Sequence, residues 1–177
     1  MTTPLAIGVH AFFVDKTDRT VEGPLEFTLH AAPPRLPVVA FNDDKGRPTT
    51  LDAFRGRTVL LHLWATSVPP SEQPLPSLDR LRQRLNGERF EVVALSLDTG
   101  DQAKEKIASW YVSAGIRHLK IFHDPTMFAA RRLSSKQLPT TLLLDAQGRE
   151  LGRTSAVLRW DSPAAIAFIQ EQFTSSR

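Results

Sequence analysis

Residues 64–71 read WATSVPPS and lie between an apolar run and a proline-rich stretch. This is a place where a strand hands over to a helix, and where unpaired backbone N–H groups and the helix dipole can activate a nucleophile. The side chains offered there are Ser67, Val68, Pro69, Pro70 and Ser71. Val68 cannot ionise. A serine nucleophile needs a base within hydrogen-bond reach, itself oriented by a third group, and no such trio is legible around Ser71. Ser71 is therefore expected to be a helix cap or a surface polar residue. The chain contains no Cys, so thiolate attack, disulfide formation and thiolate metal ligation are all closed to it.

Other reactive types add little. His62 lies inside an apolar run, two residues before Trp64, and reads as a neutral, hydrogen-bonded core histidine. His118, His123 and Asp124 are close in sequence but match no standard metal spacing, so neither a metal nor a cofactor is expected. The 22 Lys and Arg are interspersed with 19 acidic residues for a net charge of +3. Arg131-Arg132 and the series Arg80, Arg82 and Arg84 read as solvated helix faces, and no nucleic-acid partner is expected.

These residues need a scaffold, and 177 residues at 41% hydrophobic composition suffice for one compact domain with an extension. The apolar run Leu5–Phe13 is broken by His10 and has no Lys or Arg before it. It matches neither a secretory signal nor the roughly 20 apolar residues of a membrane span. Residues 1–34 read as an N-terminal arm or edge strands: an apolar run over 5–14, a polar turn at 15–18, Gly23-Pro24, an alternating segment and Pro33-Pro34 as a breaker. Residues 35–177 form the domain proper.

Within that domain, TVLLHLW over 58–64 and FEVVALSL over 90–97 are near-continuous apolar runs, the pattern of central strands buried on both faces. VVAF leads into a turn at NDDKGRP, TLDAFRGR is a short helical or turn segment, and LKIF is a short strand. Leu78, Leu81 and Leu85 fall on one face of a helix. A second helix opens at Asp101 and closes at Gly115, and a short one covers 125–133. TTLLLDAQGREL reads as two strands joined at Ala146 to Gly148, and a last helix has Ser162 as N-cap and Pro163 at its first position. Alternating strands and helices closed by a hairpin predict an α/β fold with a central mixed sheet covered by helices.

That order, with the quoted strings, resembles the thioredoxin superfamily, specifically the TlpA-like redoxin branch of bacterial thiol-disulfide proteins. GRTVLLHLWAT is similar to the family's strand into Trp-Cys-x-Pro-Cys, FEVVALSLDT to its next strand, and LPTTLLLDAQGRELGR to its cis-proline strand, turn and following strand. The resemblance spans roughly residues 25–173. It implies a thioredoxin-like fold with an N-terminal β extension, and it sets Val68 at the nucleophilic cysteine position, Ser71 at the resolving one, Ser67 at the motif tryptophan and Pro139 at the cis-proline. Dithiol exchange is excluded, because no sulfur is present at either position. Val at one position, with a lost Trp and an added Pro74, is a pattern of divergence rather than of a cysteine-to-serine trapping variant.

The resemblance also implies that the backbone at Leu138-Pro139 faces the loop and can pair with an extended peptide. The expected function is a redox-inactive protein-binding or assembly module, with its partner docked on Ser67, Val68, Pro69, Pro70, Leu138 and Pro139. The alternatives are another enzyme class, either glutathione-binding or Ser71-dependent, and an inactivated oxidoreductase. An extracytoplasmic or periplasmic setting follows from the resemblance, with a cytoplasmic one as the alternative. One local expectation is independent of the family: four prolines over 69–76 predict that residues 67–70 are extended and that the helix begins after Ser71 as its cap.

Overall fold

The computed structural model describes residues 26–85, 87 and 89–174, so the apolar run over 5–14 and the turn at 15–18 lie outside the described residues. Strands β4 (Thr58–Trp64) and β5 (Phe90–Ser96) are buried at every position and pair in parallel, as their unbroken apolar patterns require. Around them lie β1 (Thr28–Leu29), β2 (Ala40–Asn42), β3 (Pro48–Thr50), β6 (Phe122–His123), β7 (Thr140–Leu144) and β8 (Glu150–Thr154). The sheet runs in the order β1-β8-β7-β4-β5-β6-β2-β3. Its helices are α1 (Leu75–Arg84), α2 (Ala103–Ser113), α3 (Phe128–Arg132) and α4 (Pro163–Thr174). This is the thioredoxin-like α/β architecture, a mixed sheet flanked by helices.

Alternate residues of a strand point to opposite faces, so β4 feeds two cores at once. Leu60 and Trp64 pack with Leu75, Leu78 and Leu81 of α1, Ile107 of α2 and Ile169 of α4. Val59, Leu61 and Leu63 pack with Phe41, Phe122 and Leu133 on the other face. Burying each of these large side chains contributes about 1.5–3 kcal/mol, and this packing stands in for the disulfides the chain cannot make.

Some expectations shift in detail. The sequence 43–47 does turn, around Asp43, which accepts from Arg47 N–H at 2.8 Å, but its exit forms a further strand, β3, antiparallel to β2. The strand expected at LKIF, residues 119–122, overlaps the observed two-residue strand Phe122–His123 at Phe122 alone. Helix α2 starts one residue later than expected, with Gln102 rather than Asp101 at its N-cap position. Gly115 ends it at φ +69°, the left-handed conformation glycine adopts without strain. Ser162 caps α4 as expected, accepting from Ala165 N–H at 3.2 Å.

The parallel strands β4, β5 and β6 end at one edge of the sheet. Strand β7 is antiparallel to β4, with Leu63 opposite Thr140, so Pro139 stands at that same edge. The loop after β4 and the entry to β7 both lie at that edge.

Candidate functional site

The loop that follows Trp64 is a chain of turns. Val68 N–H donates to Ala65 C=O at 3.2 Å, Ser71 N–H to Val68 C=O at 2.8 Å, Gln73 N–H to Pro70 C=O at 3.1 Å and Leu75 N–H to Glu72 C=O at 3.1 Å. Pro69 and Pro70, joined by a cis bond, are placed where their missing donors leave no bond unmade. The expected extended geometry for 67–70 is thus overturned, because successive turns satisfy the backbone here instead of solvent. Helix α1 begins at Leu75, with Pro74 at the N-cap position and Pro76 in the first turn, where no N–H is required.

Ser71 is not the cap. It is fully buried, and its hydroxyl accepts from Ala65 N–H at 3.1 Å and donates to Ala65 C=O at 2.9 Å. It therefore ties the start of the loop to its middle. The expectation of a cap or surface polar residue fails because the hydroxyl is buried against both backbone groups of Ala65, while α1 begins four residues later with Pro74 at its N-cap position.

His62 completes this tie. Its Nε2 lies 3.0 Å from the Ser71 carbonyl, which can only accept, so Nε2 carries the proton. Nδ1 then accepts from the Thr141 hydroxyl at 2.8 Å. The neutral ring is satisfied on both sides, and burial pushes its pKa down to about 4, against a smaller opposing effect of the Ser71 bond. The reading of a neutral, hydrogen-bonded core histidine agrees with this geometry. One imidazole thus links β4, the loop and β7.

A second anchor was missed in the sequence. Asp98, buried just past the end of β5, accepts from Thr66 N–H at 3.0 Å, from the Thr66 hydroxyl at 2.5 Å and from the Ser96 hydroxyl at 2.7 Å. His123 donates from Nε2 to the Asp98 carbonyl at 2.7 Å. The available signal was the acid directly after an apolar strand, at the carboxyl end of a parallel pair where ligand sites gather. Asp124 is committed elsewhere, accepting from Thr126 and from Ala129 N–H at 2.7 Å, and His118 is exposed.

Held from both sides, the loop presents Ser67, Val68, Pro69 and Pro70 to solvent, with Val68 37% exposed and Ser71 at 0%. The Leu138–Pro139 bond is cis, with Leu138 half-buried and Pro139 buried. On the α2 side an open groove of about 580 Å³ runs past Thr66, Lys106 and Trp110. Trp110 packs on buried Trp64 at 5.4 Å between ring centroids. Chemically the arrangement does little: Ser71 Oγ is buried and doubly bonded, and the nearby imidazole engages its carbonyl rather than its hydroxyl. Among the described residues no base is hydrogen-bonded to that oxygen.

Residues 30–149 match the AhpC/TSA family. Thiol-disulfide oxidoreductase ResA of Geobacillus kaustophilus is 27% identical over 123 residues, covering 70% of this chain and 68% of that protein. The thioredoxin-like protein YneN of Bacillus subtilis is 24% identical over 103 residues, covering 58% of this chain and 59% of YneN. The chain thus spans about three-fifths of YneN. Among solved structures, a putative thiol:disulfide interchange protein DsbE from Chlorobium tepidum superposes with a TM-score of 0.65 at 22% identity, covering 81% of this chain and 96% of that one. The exposed lipoprotein thioredoxin Etrx1 of Streptococcus pneumoniae gives 0.62 at 19% identity, covering 76% and 99%. The chain belongs to the AhpC/TSA family, within the redoxin branch of the thioredoxin superfamily.

Proposed function

We propose that this cysteine-less member of the AhpC/TSA family is a docking module that binds a polypeptide on the face formed by Ser67 to Pro70 and Leu138-Pro139. The observation that carries the reading is the contrast between exposed Val68 and buried Ser71. One position is offered to a partner and the other is locked into the fold, yet neither has a sulfur with which to react. An exposed Val beside two exposed prolines forms an apolar, chemically inert patch, suited to holding a partner rather than turning it over. Nothing in the placement of Ser71 favours a serine-dependent enzyme.

The setting we propose is extracytoplasmic, in keeping with the likeness to an exposed lipoprotein thioredoxin. Among the described residues no helix is long and apolar enough to cross a membrane. The test is a photo-crosslinking residue placed at Val68, with Val112, 81% exposed on α2, as the control position. Adducts of defined mass at Val68 and none at Val112, competed by excess unlabelled wild-type protein and not by the Val68→Asp variant, are expected. Equal adducts at both positions, or none at Val68, would remove the basis for the reading.

A further inference from the structure

Between Pro125 and Pro139 the chain holds Arg131, Arg132 and Lys136 and no Asp or Glu. All three cations are exposed, and among the described residues none of them lies in an ion pair. Exposed arginines elsewhere are matched, Arg47 with Asp43, Arg55 with Asp52 and Arg80 with Asp161. The sheet register keeps acid away from α3. Strand β2 runs antiparallel to β6 with Asn42 opposite His123, so Val38 lies toward α3 and the acidic pair Asp43-Asp44 toward the other end. Asp124, next to α3 in sequence, is buried and bonded to the Thr126 hydroxyl and to Ala129 N–H.

The same corner is apolar. Val38, Met127 and Phe128 are 61%, 41% and 39% exposed. Arg132 joins two of them, its guanidinium 5.8 Å from the Phe128 ring centroid and its Nε donating to the Val38 carbonyl at 3.4 Å. Stacking fixes the cation, and a guanidinium that spends one of its five N–H donors on Val38 keeps the others for an incoming acceptor. The backbone on either side is held in place. Met127 at φ +55° and Ser134 at φ +53° adopt the left-handed conformation although neither is glycine, and both are exposed, so burial of their own side chains does not repay the strain. Arg153 donates to the Leu133 carbonyl at 2.9 Å, and the Ser135 hydroxyl donates to Thr140 Oγ1 at 2.9 Å. Lys136 therefore rides on a tied loop that leads directly into Leu138-Pro139.

We infer that this α3 corner binds an acidic segment of a polypeptide, with a carboxylate on the Arg132 guanidinium and an adjoining apolar side chain on Phe128, Met127 and Val38. Unmatched positive charge calls for a carboxylate, and the apolar floor adds the burial that a bare surface ion pair lacks. Three cations on such a floor suit a peptide better than a nucleic-acid backbone, whose binding is built from many phosphate contacts. The inference rests on the docking reading above and gives its partner a chemistry: an acidic stretch that lies on α3 beside the part meeting Leu138-Pro139.

The test titrates the isotopically labelled full chain with a capped Glu-Leu-Glu-Phe-Glu peptide. The amide resonances of Phe128, Arg132 and Lys136 are expected to shift saturably while Val112 on α2 stays still, and the same peptide with Lys for every Glu should shift none of them. Arg132→Glu, a change at an exposed side chain, should weaken binding at least tenfold, and raising the salt from about 0.05 to about 0.5 M should weaken it severalfold. No shift at α3, full affinity in Arg132→Glu, or equal binding of the Lys peptide or of a Glu-Gly-Glu-Gly-Glu peptide overturns the inference. So does tighter binding of a single-stranded oligonucleotide of equal charge, which would assign these cations to phosphate. Crosslinks at Val68 with no shift at α3 would overturn the acidic chemistry and leave the docking face standing. Shifts at α3 with no crosslink at Val68 would remove the docking reading and leave the acidic site standing.

Discussion

His62 Nε2 and the Ser71 carbonyl oxygen are 3.0 Å apart in a fully buried contact, and this bond fixes the loop after β4 to the strand it leaves. Its sense is set by the carbonyl, which can only accept, so the imidazole works in its neutral form.

Stability should therefore fall with acid in a defined window. The folded pKa of His62, about 4, lies below its ordinary value of 6.5. Between these values the unfolded chain binds the proton and the folded one does not, so unfolding is favoured as pH drops. The contribution is fully present above about pH 6.5 and is lost as pH falls toward 4, up to roughly 3 kcal/mol. Urea unfolding at a series of pH values checks this. His62→Leu should flatten that part of the curve, and a variant with the same slope as wild type would show that other groups govern it.

Removing the hydroxyl of Ser71 should cost stability out of proportion to its size. Ser71→Ala leaves the buried Ala65 N–H without its acceptor, a loss of about 1–3 kcal/mol. Val68→Ser, three residues away on the exposed side, should change stability by no more than about 0.5 kcal/mol. Thermal or denaturant unfolding of the two variants gives the comparison, and equal effects would contradict the burial contrast between them.

Gly152 sets how closely β1 can lie against β8. A Cβ there would sit 2.2 Å from the Thr28 carbonyl oxygen and 2.9 Å from the Phe27 ring. Gly152→Ala should push β1 off the sheet edge and loosen Phe27 from Trp160 and Phe168, its aromatic neighbours. Faster amide exchange at His30, whose N–H donates to the Leu151 carbonyl at 2.8 Å, with exchange in β4 and β5 little changed, is the expected signature. Unaltered exchange at His30 would show that the strand yields without detaching.

The features legible in the sequence were those written in long repeating patterns. The apolar runs of β4 and β5 could hardly be anything but central strands, and Pro163 after Ser162 marked the start of α4 without help from tertiary structure. What the sequence concealed were side chains that look alike in any context. Ser71 resembles a helix cap on paper, and only the fold shows that Ala65 uses its hydroxyl first. Asp98 gave a weak signal because an acid after a strand is common, whereas its grip on Thr66 depends on two loops meeting across 32 residues of chain. The four prolines correctly delayed the helix, but they could not reveal that the delay is filled by turns rather than by extended chain.

Single-cysteine variants measure the asymmetry between exposed position 68 and buried position 71. In the native protein Val68→Cys should react rapidly with an alkylating reagent, because its side chain faces solvent, whereas Ser71→Cys should resist alkylation until the protein is unfolded. Both variants must label fully in denaturant for the comparison to hold. Equal native rates at the two positions would contradict the claim that one is presented to a partner while the other is locked in the core.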